Sequence, residues 1–122
     1  MSGKVKNIKS EKEFNSLIKD GNVLVDFYAD WCGPCKILSP LIEKVSKDYD
    51  TATFAKVDVD SNQELSQRFQ IMSIPTVIFF KNGKQVERFS GALPEDDLRE
   101  KIDEVFWILL ITKNWWLFLE KV

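Results

Sequence analysis

Histidine is absent from this 122-residue chain. That excludes every mechanism needing an imidazole: Ser-His-Asp and Cys-His nucleophiles, histidine proton shuttles and histidine-ligated metals. Cysteine is scarce as well. Two thiols cannot build a disulfide scaffold, nor close a four-cysteine zinc site within one chain. Neither sign of charge dominates. With 17 basic against 19 acidic residues and a net charge of −2, the chain carries no footprint for nucleic acid. Long apolar runs are missing too. The longest block, Val105–Ile111, is interrupted by Thr-Lys-Asn before Trp115–Leu119, short of the roughly 18 residues that read as a membrane span. The N-terminal Met-Ser-Gly-Lys-Val-Lys-Asn-Ile-Lys-Ser has no apolar core of a secretory signal, so the expected location is the cytoplasm, a reducing compartment.

What is present is an ordinary globular composition, 44% apolar and 30% charged, which excludes disorder and fits one domain. Val5–Ile8 reads as a first strand. Ser10-Glu11-Lys12-Glu13 has the form of a capping box, and Phe14, Leu17 and Ile18 follow at helical spacing until Asp20-Gly21-Asn22 stops them. Val23–Tyr28 is an apolar, β-rich run, the pattern of a central strand buried on both faces. Ile37, Leu38, Leu41, Ile42 and Val45 form a helical stripe that Pro40 should kink. Phe54, Val57 and Val59 mark a third strand, with Asp60-Ser61-Asn62 able to cap a short helix through Phe69. Ile74–Phe80 and Gln85–Ser90 flank Asn82-Gly83, a strong hairpin signal. Pro94 suits a first helical position, and Leu98, Ile102 and Val105 supply the last apolar face. The order βαβαβαββα predicts an α/β domain: a central mixed sheet flanked by helices.

Trp31-Cys32-Gly33-Pro34-Cys35 falls between the central strand and the proline-bearing helix. Four readings compete. A structural disulfide closing so small a loop would contribute only about 1.9 kcal/mol in the chain-entropy model. A zinc half-site would need two further ligands, and none stands at recognisable spacing. Two inert thiols would make the strand-to-helix placement accidental. A redox pair uses every feature. A helix starting there stabilises a Cys32 thiolate through its amides and dipole, and Gly33-Pro34 holds Cys35 close as the resolving thiol. An unperturbed thiol is only about 3% ionised at pH 7, so a modest depression raises the nucleophile severalfold. Asp26, inside Val-Leu-Val-Asp-Phe-Tyr, is either a solvated carboxylate or a buried acid with its pKa pushed toward neutrality.

These motifs carry a resemblance. Val25-Asp26-Phe27, Trp31-Cys32-Gly33-Pro34-Cys35-Lys36, Lys56-Val57-Asp58-Val59-Asp60, Ile74-Pro75-Thr76, Lys81-Asn82-Gly83 and Gly91-Ala92 are similar to the thioredoxin family over about residues 5–107. The resemblance implies the thioredoxin fold and a protein-disulfide oxidoreductase that needs no metal or organic cofactor. It implies electrons supplied by a thioredoxin reductase and passed to disulfide-containing protein substrates. By the same resemblance Cys32 is the attacking thiol, Cys35 the resolving thiol and Asp26 the buried acid assisting Cys35. Lys56 would oppose protonation of Asp26. Pro75 would be the cis-proline facing the disulfide, and Trp31, Gly33, Pro34, Ile74, Gly91 and Ala92 would complete the peptide-docking surface. Oxidising relatives carry a histidine between the cysteines; Gly33-Pro34 stabilises the reduced dithiol less, so this chain should donate electrons.

Two departures stand out. Tyr28 and Ser73 replace residues that are commonly larger, or charged, in the family. More substantially, an apolar extension follows the expected domain of residues 1–107. Residues 108–122 include Trp115 and Trp116, beside Lys113 and Lys121. Packing on the domain, an incidental extension, a membrane interface and a protein contact all remain open for it. The rival to the redox reading is a thiol-independent binding module using the same surface.

Overall fold

The computed structural model describes residues 4–108, with backbone alone for 107 and 108. Nearly all of the apolar extension, residues 109–122, therefore lies outside the described residues, together with the expectations attached to it. Five strands and four α-helices alternate in the predicted order: β1 (Val5–Ile8), α1 (Glu11–Ile18), β2 (Asn22–Tyr28), α2 (Gly33–Ser46), β3 (Ala52–Asp58), α3 (Gln63–Arg68), β4 (Thr76–Lys81), β5 (Lys84–Ser90) and α4 (Glu95–Ile102). A π-helical segment, Asp103–Ile108, continues α4.

The strands form one sheet in the order β1-β3-β2-β4-β5. Helix-linked β1, β3 and β2 pair in parallel, whereas β2-β4 and β4-β5 are antiparallel. Because β2 is central, both its faces are covered and Val23 through Phe27 are all buried. The two-residue alternation of a strand divides them. Val23, Val25 and Phe27 join Phe14, Ile18, Leu65 and Phe80 under α1 and α3. Leu24 points the other way, into Leu38, Ile42, Phe79 and Leu98 under α2 and α4.

Local chemistry explains the ends of the elements. Ser10 Oγ accepts from the Glu13 amide at 3.1 Å, while Glu13 Oε1 accepts from Lys9 rather than from the cap residue, at 2.7 Å. At the hairpin, Asn82 and Gly83 take φ of 51° and 87°, the left-handed region that Asn tolerates and Gly favours.

Three sequence expectations change. Ile37 is 67% exposed, because Leu38, Ile42 and Val45 already fill the strip of α2 facing the sheet. Asn62 caps α3 without a side-chain bond to it; its Nδ2 donates instead to the Asp58 carbonyl at 3.0 Å. Pro94 keeps an extended ψ of 158°, so α4 begins one residue later, at Glu95.

Candidate functional site

The cysteine pair lies where the central strand hands over to α2. Cys32 is the N-cap of that helix and Cys35 stands in its first turn, joined to Cys32 by a disulfide. Cys32 Sγ accepts from the Cys35 amide at 3.2 Å. A sulfur at this point faces free helix amides and the positive end of the helix dipole, which favours negative charge on it. Both cysteines are buried, whereas Gly33 and Pro34 between them are exposed.

A second segment faces the pair from the loop that enters β4. The Ile74-Pro75 peptide bond is cis, and the Ile74 carbonyl oxygen lies 3.7 Å from Cys32 Sγ. Two bonds hold this segment. Thr76 Oγ1 donates to the Ser73 carbonyl at 2.6 Å, and the Gly91 amide donates to the Pro75 carbonyl at 2.9 Å. Gly91, at φ 89°, thereby stands beside Pro75, with exposed Ala92 following it. Trp31 is 69% exposed, and its indole N–H donates to Asp60 Oδ2 at 2.8 Å, which fixes the ring. A cleft of about 320 Å³ runs between Trp31, Val59, Met72 and Ile74.

Asp26 lies on the central strand β2 with 1% of its surface exposed. Like Leu24, it points to the α2 side of the sheet. Its cross-strand neighbours are Lys56 on β3 and Val77 on β4. Burial pushes its pKa from the ordinary 3.8 up to about 6; a hydrogen bond from Ser39 and the charge of Lys56 pull it back. Ser39 Oγ donates to Asp26 Oδ2 at 2.7 Å, and Oδ1 has no partner among the described residues. Lys56 itself extends over the Tyr28 ring, 5.4 Å from its centre.

The residues singled out from sequence thus fall into two groups. Trp31, Cys32, Gly33, Pro34, Cys35, Ile74, Pro75, Gly91 and Ala92 belong to the start of α2 and the loops at the ends of the strands, while Asp26 and Lys56 are cross-strand neighbours inside the sheet. Ser39, Asp60 and Met72 are additional. Ser39 follows Cys35 by one helical turn, but that spacing does not direct its hydroxyl at Asp26, so it carried no signal of its own. Asp60 had none, being 29 residues from the Trp31 ring it holds. Among the described residues no group of three or more His, Cys, Asp or Glu is placed to hold a metal, and no helix is long and apolar enough to cross a membrane.

The thioredoxin family's sequence profile matches residues 5–104. The chain belongs to the thioredoxin family. A thioredoxin from Mycoplasmoides gallisepticum is 47% identical over 79% of this chain and 97% of its own length. Thioredoxin-2 of Saccharomyces cerevisiae is 46% identical over 74% of this chain and 88% of its own. The solved structure of Plasmodium falciparum thioredoxin superposes with a TM-score of 0.78 at 42% identity, covering 82% of this chain and 98% of that one. The fold is accordingly the thioredoxin fold, and the chain is a disulfide oxidoreductase whose redox-active pair is Cys32 and Cys35. Thioredoxin membership implies, in general terms, a reductase and protein substrates as partners.

Proposed function

We propose that this thioredoxin is a protein-disulfide reductase, recharged by a thioredoxin reductase and spending its electrons on disulfides of other proteins. The carrying observation is the Cys32–Cys35 disulfide at the start of α2, with Cys32 capping the helix. In the reduced protein Cys32 is the attacking thiolate. It displaces one sulfur of the substrate disulfide, forming a mixed disulfide and releasing the first substrate thiolate. Asp26 takes the Cys35 proton, and the Cys35 thiolate attacks the Cys32 sulfur. The second substrate thiolate leaves, and two electrons have passed to the substrate. Burial that lifts Asp26 to about 6 supports this role, because its conjugate acid and base are both accessible near neutral pH. Lys56 opposes protonation of Asp26.

Substrate docks on Trp31, Gly33, Pro34, Ile74, Pro75, Gly91 and Ala92. Exposure of Trp31, Gly33, Pro34 and Ala92 and the closeness of Ile74 to Cys32 support that reading. Main-chain pairing with an extended substrate segment at Ile74 would tolerate many sequences. Gly33-Pro34 and the lack of histidine favour donation of electrons over oxidation of substrates. A donor of this kind needs a reducing pool to return to its dithiol form, so the cytoplasm is its proposed site of action. Residues 1–107 constitute the working domain and 108–122 an adjunct to it.

Equilibration with glutathione buffers followed by thiol alkylation tests the direction of flow. A two-electron couple below the glutathione poise is expected; one at or above it would make the chain an oxidant or isomerase. Cys32→Ser should abolish turnover of a disulfide substrate. Cys35→Ser should retain attack and accumulate mixed disulfides, seen as mass adducts on non-reducing gels; full turnover by either variant would overturn the mechanism.

A further inference from the structure

Among the described residues Asp26 is a buried carboxyl with a single hydrogen bond, and that bond comes from Ser39. The serine is placed by helix geometry. It follows Cys35 by four residues in α2, so both side chains project from the same side of the helix. Ser39 also lines a cavity of about 330 Å³ that Cys35 and Lys56 border. Ser39 thus borders the same cavity as the resolving cysteine and also bonds the Asp26 carboxyl.

A hydroxyl donating to a carboxylate stabilises the ionised form, since the bond is charge-assisted only when the proton is off the acid. Desolvation works in the opposite direction and is the larger effect, while Lys56 works alongside Ser39. From β4, Val77 contributes no charge. On β2 itself, Tyr28 titrates above its ordinary 10.0 through burial and the nearby Asp58, Asp30 and Asp26 carboxylates, so it is neutral where Asp26 ionises. Asp30, Lys36 and Glu43 stand around the cavity. All these groups persist when the hydroxyl is deleted, so its deletion isolates one contribution.

We propose that Ser39 is a positioning residue of the dithiol exchange: by donating to Asp26 Oδ2 it keeps that carboxyl ionised at neutral pH, ready to take the proton of Cys35. The inference rests on Asp26 as the proton acceptor. In the step it serves, the Cys35 S–H bond breaks and an O–H bond forms on Asp26. The electron pair left on sulfur then makes the bond to Cys32, as the Cys32–substrate pair departs with the leaving thiolate.

The test follows the Asp26 carboxyl by carbon NMR against pH in the oxidised full-length protein, for wild type, Ser39→Ala and Ser39→Thr. The same three proteins and Asp26→Ala are assayed for substrate-disulfide reduction against pH. Ser39→Ala should raise the Asp26 midpoint by about one pH unit. From a starting value of about 6 that lowers the ionised fraction at pH 7 from about nine-tenths to about half, with turnover falling about twofold. The lower limb of the pH–rate profile should move by the same interval, and Ser39→Thr should restore both. An Asp26 midpoint that stays put in Ser39→Ala overturns the proposal whatever Asp26 does. So does a midpoint that moves without the rate profile. Asp26→Ala then locates the failure: an unaltered profile removes Asp26 from the reaction, whereas an altered one removes only Ser39.

Discussion

Asp26 shows what one buried acid does to both stability and chemistry. Its folded pKa of about 6 lies above the ordinary 3.8, mainly through desolvation. The folded protein therefore holds a proton that the unfolded chain has already released between those values. The stabilisation is complete below about 3.8 and disappears as pH rises through about 6. Its size is on the order of 3 kcal/mol for a displacement of about two pH units. Asp26→Asn should remove the dependence, gaining stability on wild type at pH 8 but not at pH 4. Urea unfolding of the oxidised proteins at the two pH values checks this; parallel losses at both would contradict it. The apolar run on either side of Asp26 made its burial legible in advance. Ser39 was not legible in that way, because a serine one turn beyond Cys35 has many surface equivalents and only the packing of α2 against β2 brings its hydroxyl to the carboxyl.

The elements show where periodicity is informative and where it is not. The hairpin tip does more than reverse the chain. Asn82 Oδ1 accepts from the Gly21 amide at 2.8 Å, and the Asn82 amide donates back to the Gly21 carbonyl at 2.9 Å. The β4–β5 turn is thereby tied to the turn between α1 and β2. Asn82→Ala loses the acceptor and the tolerance for φ of 51° together, and should cost about 1–3 kcal/mol in denaturant unfolding. Asn82→Asp, which keeps both, should cost less. The Asn-Gly pair announced the turn, whereas its partner across 61 residues could not be read from either segment. Ile37 illustrates the reverse case. It belongs to the apolar stripe by spacing, yet α2 has one sheet to cover, and the residue at the stripe's edge stays in solvent. The cap of α3 is misread for a related reason: the Asn62 side chain is engaged through Nδ2 as a donor to the Asp58 carbonyl, and does not accept through Oδ1 from the amides of the helix it precedes.

The described residues form a sheet with one large core on each face, and the redox site follows the end of β2, where a smaller cluster of Ala29, Cys32 and Cys35 is buried. Phe14 is the centre of one core. Its ring meets Phe27, Phe69 and Phe80 at centroid distances of 6.5, 5.3 and 5.6 Å. Phe14→Ala should lower stability by about 3–5 kcal/mol, the range for deleting a fully buried aromatic ring. Equilibrium unfolding measures it, and a loss below 1 kcal/mol would mean that the four rings do not pack as a unit. Every proposed site residue lies between Asp26 and Ala92. Removal of residues 109–122 should consequently leave the Cys32–Cys35 potential and disulfide-reductase turnover within about twofold of the full chain. A larger loss would make the extension part of the working domain.

Local chemistry in the sequence was enough for the element order, the two-sided burial of β2, the capped start of α1, the Asn82-Gly83 turn and a redox-capable cysteine pair. Each depends on neighbours a few residues apart, through side-chain periodicity, turn conformation or the reach of a short loop. Tertiary structure alone brought Ile74 to Cys32, Asp60 to the Trp31 ring, Lys56 to the strand beside Asp26 and the Ser39 hydroxyl to its carboxyl. Those meetings follow from strand register and from the way a helix lies across a sheet. Register is set by the pleat of neighbouring strands and the filling of two cores, which are properties of the packed chain as a whole.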